Sequence, residues 1–208
     1  MTTHEKKTFE SVYGYADHYS KLPWAHDHPS TFLQDIVDQA DAPGTVLDIG
    51  CGGGTDSVFM AANGWQVTAL DFIPKALEMT AARAAEQGLN VSTVEADITT
   101  WEPVGEFDLV LDHGLLHNTD SERHQAYRER VIASLRKGGH FVILHWLKRT
   151  PDESQSEMGP TRASREEVNA FFAPELSEHN FVYEEYEGLP ESVGGSMAQA
   201  YYWFTRTE

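Results

Sequence analysis

The stretch Val46 to Asp56, VLDIGCGGGTD, constrains this chain more than any other. It sets four glycines within five positions, Gly50 to Gly54, directly after an apolar run. Glycine weakens a strand or a helix because it has the most backbone freedom to lose. A cluster of them therefore marks either a tight turn or a surface against which a ligand lies on bare backbone. In a sheet of parallel strands, the loop after the first strand stands at the carboxyl edge, where ligands bind.

The rest of the sequence supplies such a sheet. Short apolar runs at Thr45–Gly50, Trp65–Asp71, Val91–Asp97, Phe107–Gly114 and His140–Leu147 read as strands. Between them lie helical patterns at Thr55–Gly64, Pro74–Gly88 and Ser121–Gly139. The second of these carries proline at its start and glycine after its end, and the third closes on basic residues and glycines, as helix ends prefer. PDESQSEMGP, from Pro151 to Pro160, is polar and breaker-rich and reads as a loop. Ser164 with Glu167 forms a capping box that opens another helix. The last two runs, Phe181–Leu189 and Ala198–Arg206, are joined by a segment too short for a helical crossover, so they pair as an antiparallel hairpin.

Strands alternating with helices predict an α/β chain with a doubly wound, mostly parallel, seven-stranded sheet ending in that hairpin. Residues 1–44 differ: they are rich in Tyr, His and Trp and turn helical only over His28–Asp41. They are expected to form an N-terminal lid and helix across the carboxyl edge of a sheet domain spanning 45–208, one domain overall.

Composition narrows the partners. The 208 residues carry a formal charge of −18, which repels phosphate backbones and anionic lipid surfaces. Nucleic acid and membrane are therefore not expected partners. A lone cysteine, Cys51, allows no intrachain disulfide, and no apolar run has signal-peptide or membrane-spanning length. A cytoplasmic protein, monomer or homodimer, is expected.

The glycine spacing identifies a class of ligand. A dinucleotide loop of the form G-x-G-x-x-G starting at Gly50 needs glycine at position 55, which is Thr55. The loop offers instead Asp48-x-Gly50-x-Gly52-x-Gly54. An acid on the strand repels a pyrophosphate and suits a cationic ligand. VLDIGCGGG resembles motif I of the class I S-adenosylmethionine-dependent methyltransferases, whose fold is Rossmann-like. The resemblance implies that S-adenosylmethionine is the cofactor and S-adenosylhomocysteine the product. It implies that Asp48, Gly50, Cys51 and Gly52 line the methionine end, and that Asp71, at the end of the second strand, takes the ribose hydroxyls. It implies that Asp97, Ile98 and Phe72 hold the adenine, and that Asp112 and His113 border the transferring methyl.

The stretch LDHGLLHNTDSERHQAYRERVIASL is similar to the branch that includes thiopurine, thiol and halide methyltransferases and tellurite-resistance-type proteins. LPWAHDHPS and GPTRASREEVNAFFAP resemble the same branch. In those relatives a tryptophan-bearing N-terminal segment folds over cofactor and acceptor, which points to Trp24, with Tyr13, Tyr15 and Tyr19 beside it. His113 stands where relatives often carry Arg or Ser.

The sulfonium methyl is already activated, so such a protein has mainly to align the nucleophile and exclude water. A thiol with a pKa of ~8.5 is partly ionised at neutral pH, whereas a hydroxyl or ammonium needs a base. His113 and His117, with Asp112, are the candidate catalytic residues. A metal held by His113, His117 and His26 or His28 has no cysteine or H-E-x-x-H pattern behind it, and none is expected. The function expected is transfer of a methyl group to a small molecule, a thiol or other soft nucleophile. An O- or N-methyltransferase, a non-catalytic sensor of the cofactor and, last, a nicotinamide enzyme are the alternatives.

Overall fold

The computed structural model describes residues 3–150, 152–153, 161–187 and 196–207. The strand β1, Thr45–Ile49, is buried from Val46 onward and pairs in parallel on both sides, with β2, Gln66–Asp71, and with β4, Phe107–His113. Beyond β2 lies β3, Ser92–Glu95, an edge strand that is mostly exposed. Beyond β4 lies β5, Leu135–Leu147, also parallel. Strand order thus runs β3-β2-β1-β4-β5 and reverses direction at β1 and β4, which opens a crevice outside their carboxyl ends.

The sheet closes with β7, Leu176–Glu187, and β8, Ser196–Arg206, an antiparallel pair. It is β8 that inserts beside β5, also antiparallel. An eighth, two-residue strand, β6, Arg162–Ala163, pairs with the end of β5 and was not anticipated.

Side chains alternate across this sheet with a period of two. Leu47, Val110, Phe141, Ile143, Tyr202 and Phe204 share one core with Tyr127, Val131, Val168 and Phe172. These last four come from α5, His124–Ser134, and α6, Arg165–Phe172. Val46, Leu109, Leu111, Val142 and Trp203 share the other core with Leu33, Ile36 and Met60. Those belong to α2, Leu33–Gln39, and α3, Thr55–Ala62. Both faces are covered, so the inner strands read as continuous apolar runs rather than as alternating ones. The Ser164–Glu167 capping box is present at the start of α6.

The helix α4, Pro74–Glu86, packs Ala76 and Met79 against Tyr13, Ala16 and Leu22 from the N-terminal segment. That segment begins with a helix, α1, Thr3–Tyr15, where the sequence showed only an aromatic-rich extension. The helical stretch expected over His28–Asp41 is confined to α2.

The helix expected over Ser121–Gly139 also differs. It starts as a short turn at Ser121–Arg123, ends at Ser134, and gives way to β5 at Leu135. Leu135 is fully buried opposite Phe107, and Arg136 pairs with Asp108 instead of a helix carboxyl end. Pairing with β4 outweighs the helical pattern. The breaker-rich loop Pro151–Pro160 lies outside the described residues apart from Asp152 and Glu153, as do Gly188 and Leu189 of the penultimate expected strand. Among the described residues no helix is long and apolar enough to cross a membrane.

Phe141 sits at the centre of this packing, fully buried, with its ring 5.2 Å from that of Phe172. Phe141→Ala is expected to cost about 3–5 kcal/mol. The loss is read as a lower urea midpoint at unchanged slope.

Candidate functional site

The glycine loop is held by its neighbours at the crevice. The N–H groups of Gly50 and Cys51 both donate to the Leu70 carbonyl, at 2.7 and 3.1 Å, tying the loop to the end of β2. Gly54 has φ +75°, and a Cβ there would come within 2.7 Å of Thr80 Oγ1, so α4 packs flush only against glycine. Gly52 has φ +56°, and a Cβ there would meet the Tyr13 hydroxyl at 3.4 Å and Trp24 Nε1 at 3.5 Å. The aromatic segment therefore rests directly on bare loop backbone.

Two acids stand at this loop. Gly52 N–H donates to Asp71 Oδ2 at 3.1 Å and Ile73 N–H to Oδ1 at 2.9 Å. Burial pushes the Asp71 carboxyl up to about 6 against the pull of these bonds. Asp48 is buried on β1, accepts from Ser57 Oγ at 2.6 Å, and is pushed up to about 7 by burial and then by the charge of Asp56.

Asp48, Gly50, Cys51, Gly52, Asp71 and Phe72 all line one cavity of about 600 Å³. Phe9, Tyr13, Tyr19, Leu22 and Trp24 line it from the N-terminal segment. Trp24 is 41% exposed and meets Phe9 and Tyr13 edge-on, each at 5.7 Å. Tyr15, by contrast, is 90% exposed and has no part in the lining. An adjoining hollow shares Gly50, Asp71 and Phe72 with the cavity and adds Asp97 and Ile98. Burial opposes ionisation of Asp97, but hydrogen bonds, those from Thr99 and Arg123 among them, bring it down to about 2.

The residues expected to do chemistry separate into three environments. Asp112 is buried and lines neither hollow. Its Oδ1 accepts from the N–H groups of Gly114 at 2.8 Å and Leu115 at 2.5 Å. Its Oδ2 accepts from Leu116 N–H at 3.0 Å and from the Tyr127 hydroxyl. Asp112 thus caps the turn after β4 rather than bordering the cavity. The expected catalytic and cofactor roles of Asp112 find no geometry here.

His117 lines the cavity but is buried, and its Nδ1 finds no hydrogen-bond partner among the described residues. Burial, then the His145 and His113 rings, hold it well below the ordinary imidazole range.

His113 lies at the end of β4 in a polar network that the sequence did not reveal. Its Nδ1 is 2.5 Å from Ser30 Oγ and 3.1 Å from Asp56 Oδ2, and its Nε2 is 3.4 Å from the Tyr201 hydroxyl. Burial opposes its charge, yet the Asp56 carboxylate raises it above the ordinary value. Asp56 is lowered in turn by His113 and Ser30, against the effect of burial.

Asp56 ends the glycine-rich stretch from Val46, but an acid in the first turn of a helix reads as an ordinary dipole partner. Ser30 and Tyr201 carried no signal at all. His26, whose ring lies 4.1 Å from that of His113, joins the same network. The metal-ligand set weighed from sequence is therefore not the set the fold assembles. His117 stands elsewhere, and His26, Asp56 and His113 present donor atoms within 4.8 Å of one another.

With this geometry in view, comparison with known proteins is direct. Residues 46–139 match the family described as Methyltransferase domain. These residues thus resemble a methyltransferase domain. The 2-heptyl-1-hydroxyquinolin-4(1H)-one methyltransferase of Mycobacteroides abscessus is 30% identical over 149 residues, covering 69% of this chain and 66% of that relative. Thiocyanate methyltransferase 1 of Brassica oleracea is 30% identical over 125 residues, covering 59% of this chain and 55% of the relative. The chain thus spans less than two thirds of either relative's length. Among solved structures, the 1,6-didemethyltoxoflavin-N1-methyltransferase of Burkholderia thailandensis, bound to its substrate and S-adenosylhomocysteine, superposes with a TM-score of 0.74. That match covers 100% of this chain and 92% of that one at 21% identity, and it establishes the shared fold.

Within this methyltransferase fold, Asp112→Asn puts an amide where main-chain N–H groups need acceptors. A loss of about 3 kcal/mol in stability is expected, measured by urea unfolding. Full stability with lost turnover would instead make Asp112 a residue of the reaction.

Proposed function

We propose that the chain binds S-adenosylmethionine and transfers its methyl group to a small molecule, with a thiol or other soft nucleophile as acceptor. One observation carries this reading. The Asp71 carboxylate, fixed by two main-chain N–H groups, stands beside bare glycine backbone inside a cavity large enough for a nucleoside and a small acceptor.

The residues fit the cofactor. Gly52 leaves room that a side chain would take, and the acids Asp48 and Asp71 stand at the loop. In this reading Asp48 and the loop from Gly50 through Cys51 to Gly52 hold the amino-acid end. Asp71 accepts from the ribose hydroxyls, since a carboxylate offers two oxygens and no donor. Asp97, Ile98 and Phe72 take the adenine. Trp24 and Tyr13 form a lid that keeps water from the reacting atoms. When bound, the cofactor supplies a methyl already activated on a sulfonium.

The histidines favour a nucleophile that needs no strong base. His113 Nδ1 is already engaged by Ser30 and Asp56, and Asp56 draws the ring toward its charged form. His117 is held neutral by burial and is too weak a base to serve. A thiol ionises with little help. A hydroxyl acceptor on a planar ring is the second reading, favoured by the hydroxyquinolinone in the name of the first relative. The same proposal takes the protein to be cytoplasmic and a monomer or homodimer, without a nucleic-acid partner, in keeping with its charge of −18.

Calorimetry is expected to show micromolar binding of S-adenosylmethionine and S-adenosylhomocysteine and none of NAD. Asp71→Ala removes two charged hydrogen bonds, and a loss of about 3 kcal/mol, ~100-fold, is expected. Protonation of Asp71 removes an acceptor oxygen. Affinity should therefore be full well above pH 6 and fall as pH drops through about 6. Unchanged affinity at pH 5 would take the ribose contact away from Asp71. A panel of thiols, halides, phenols and amines then reads the acceptor.

A further inference from the structure

His26, Asp56 and His113 converge on the cavity from three parts of the chain: the N-terminal segment, the first turn of α3 and the end of β4. Each offers one donor atom, and these atoms lie within 4.8 Å of one another. The groups around them orient those atoms. His26 Nδ1 is 2.5 Å from the His28 carbonyl oxygen. A carbonyl can only accept, so Nδ1 carries the hydrogen and Nε2 keeps its lone pair. A ring nitrogen fixed through a main-chain carbonyl is the usual second-sphere arrangement of a metal-ligating histidine.

Asp56 is 4% exposed, and its Oδ1 is held by Ser30 N–H at 2.8 Å. The segment that bears His26 is anchored by Thr55 Oγ1, which donates to the His26 carbonyl at 3.0 Å. Donors at ~2.1 Å from a tetrahedral ion lie roughly 3.4 Å apart, so atoms within 4.8 Å of one another have to draw closer to close on one.

We propose that His26, Asp56 and His113 form a site for a divalent transition-metal ion of the zinc or iron(II) class, which holds the methyl acceptor by its donor atom. Two imidazoles and one carboxylate suit those ions and not magnesium or calcium, which take oxygen. Three protein ligands leave coordination positions on the cavity side for a substrate, the pattern of catalytic rather than structural sites. The site itself stands on geometry alone; its use for the acceptor rests on the methyl-transfer reading above. A thiol that binds the ion releases its proton to solvent and is held as a thiolate. Methyl transfer then forms one sulfur–carbon bond at the acceptor and breaks one at the sulfonium, leaving two neutral thioethers.

The test uses the full chain, stripped by a chelator and titrated calorimetrically with Zn²⁺. One ion per chain at micromolar affinity or tighter is expected, weakened at least tenfold in His26→Gln and in Asp56→Asn. Thermal melts of the stripped proteins establish that the variants are folded, His26→Gln serving if Asp56→Asn is not. Zinc binding that is substoichiometric, or equal in wild type and folded variant, overturns the site. S-adenosylhomocysteine binding by the same wild-type preparation separates the two readings. Its absence alone strikes the methyl-transfer reading, and absence of zinc binding alone strikes the metal site. Co²⁺ in place of zinc, with 2-mercaptoethanol added, should give a thiolate-to-cobalt charge-transfer band; its absence overturns the acceptor role.

Discussion

The pair of hydrogen bonds from Gly52 and Ile73 to Asp71 joins the two halves of the site. Gly52 belongs to the loop after β1 and Asp71 to the end of β2, and parallel pairing carries both strands to the same edge. The contact sets where the loop sits, and the loop sets where everything above it sits. A Cβ on Gly52 would touch Tyr13 and Trp24, and one on Gly54 would overlap Thr80 of α4. The buried carboxylate is costly in isolation, and its main-chain donors offset part of that cost.

Much of this was legible in the sequence because the physics behind it is local. Strands covered on both faces are apolar throughout, and those runs stand out between glycine-stopped helices. The hairpin followed from a connection too short to cross over, and the α6 cap from two residues three apart. The glycine loop announced the crevice, and the residues it implied for the cofactor are divided between two adjoining hollows, with Asp112 in neither.

What was not legible depends on distance along the chain. The end of α5 looked helical up to Gly139, and only the presence of Phe107 across the sheet turns Leu135 into strand. Asp112 looked like an acid next to the chemistry because it ends a strand, but its partner Tyr127 lies fifteen residues away on a helix whose inward face could not be read. The network around His113 draws on Ser30, Asp56 and Tyr201, separated from it by 83, 57 and 88 positions. No spacing rule connects residues that far apart. His26 and His28 were noticed as a pair, yet it is the carbonyl of one that orients the ring of the other.

The lining of the cavity includes Asp48, Asp56, Asp71 and Glu184, with Arg83 as its arginine. In the proposed reaction the cofactor enters as a sulfonium cation and leaves as a neutral thioether, its positive charge cancelled by an anionic acceptor or released as a proton from a neutral one. The same field that gathers the incoming cation has less hold on what remains after the reaction. Loading and unloading are therefore driven in opposite directions by one fixed set of carboxylates. The acidity that from composition argued only against nucleic-acid and membrane partners would then, at this edge of the sheet, be a means of turning the site over.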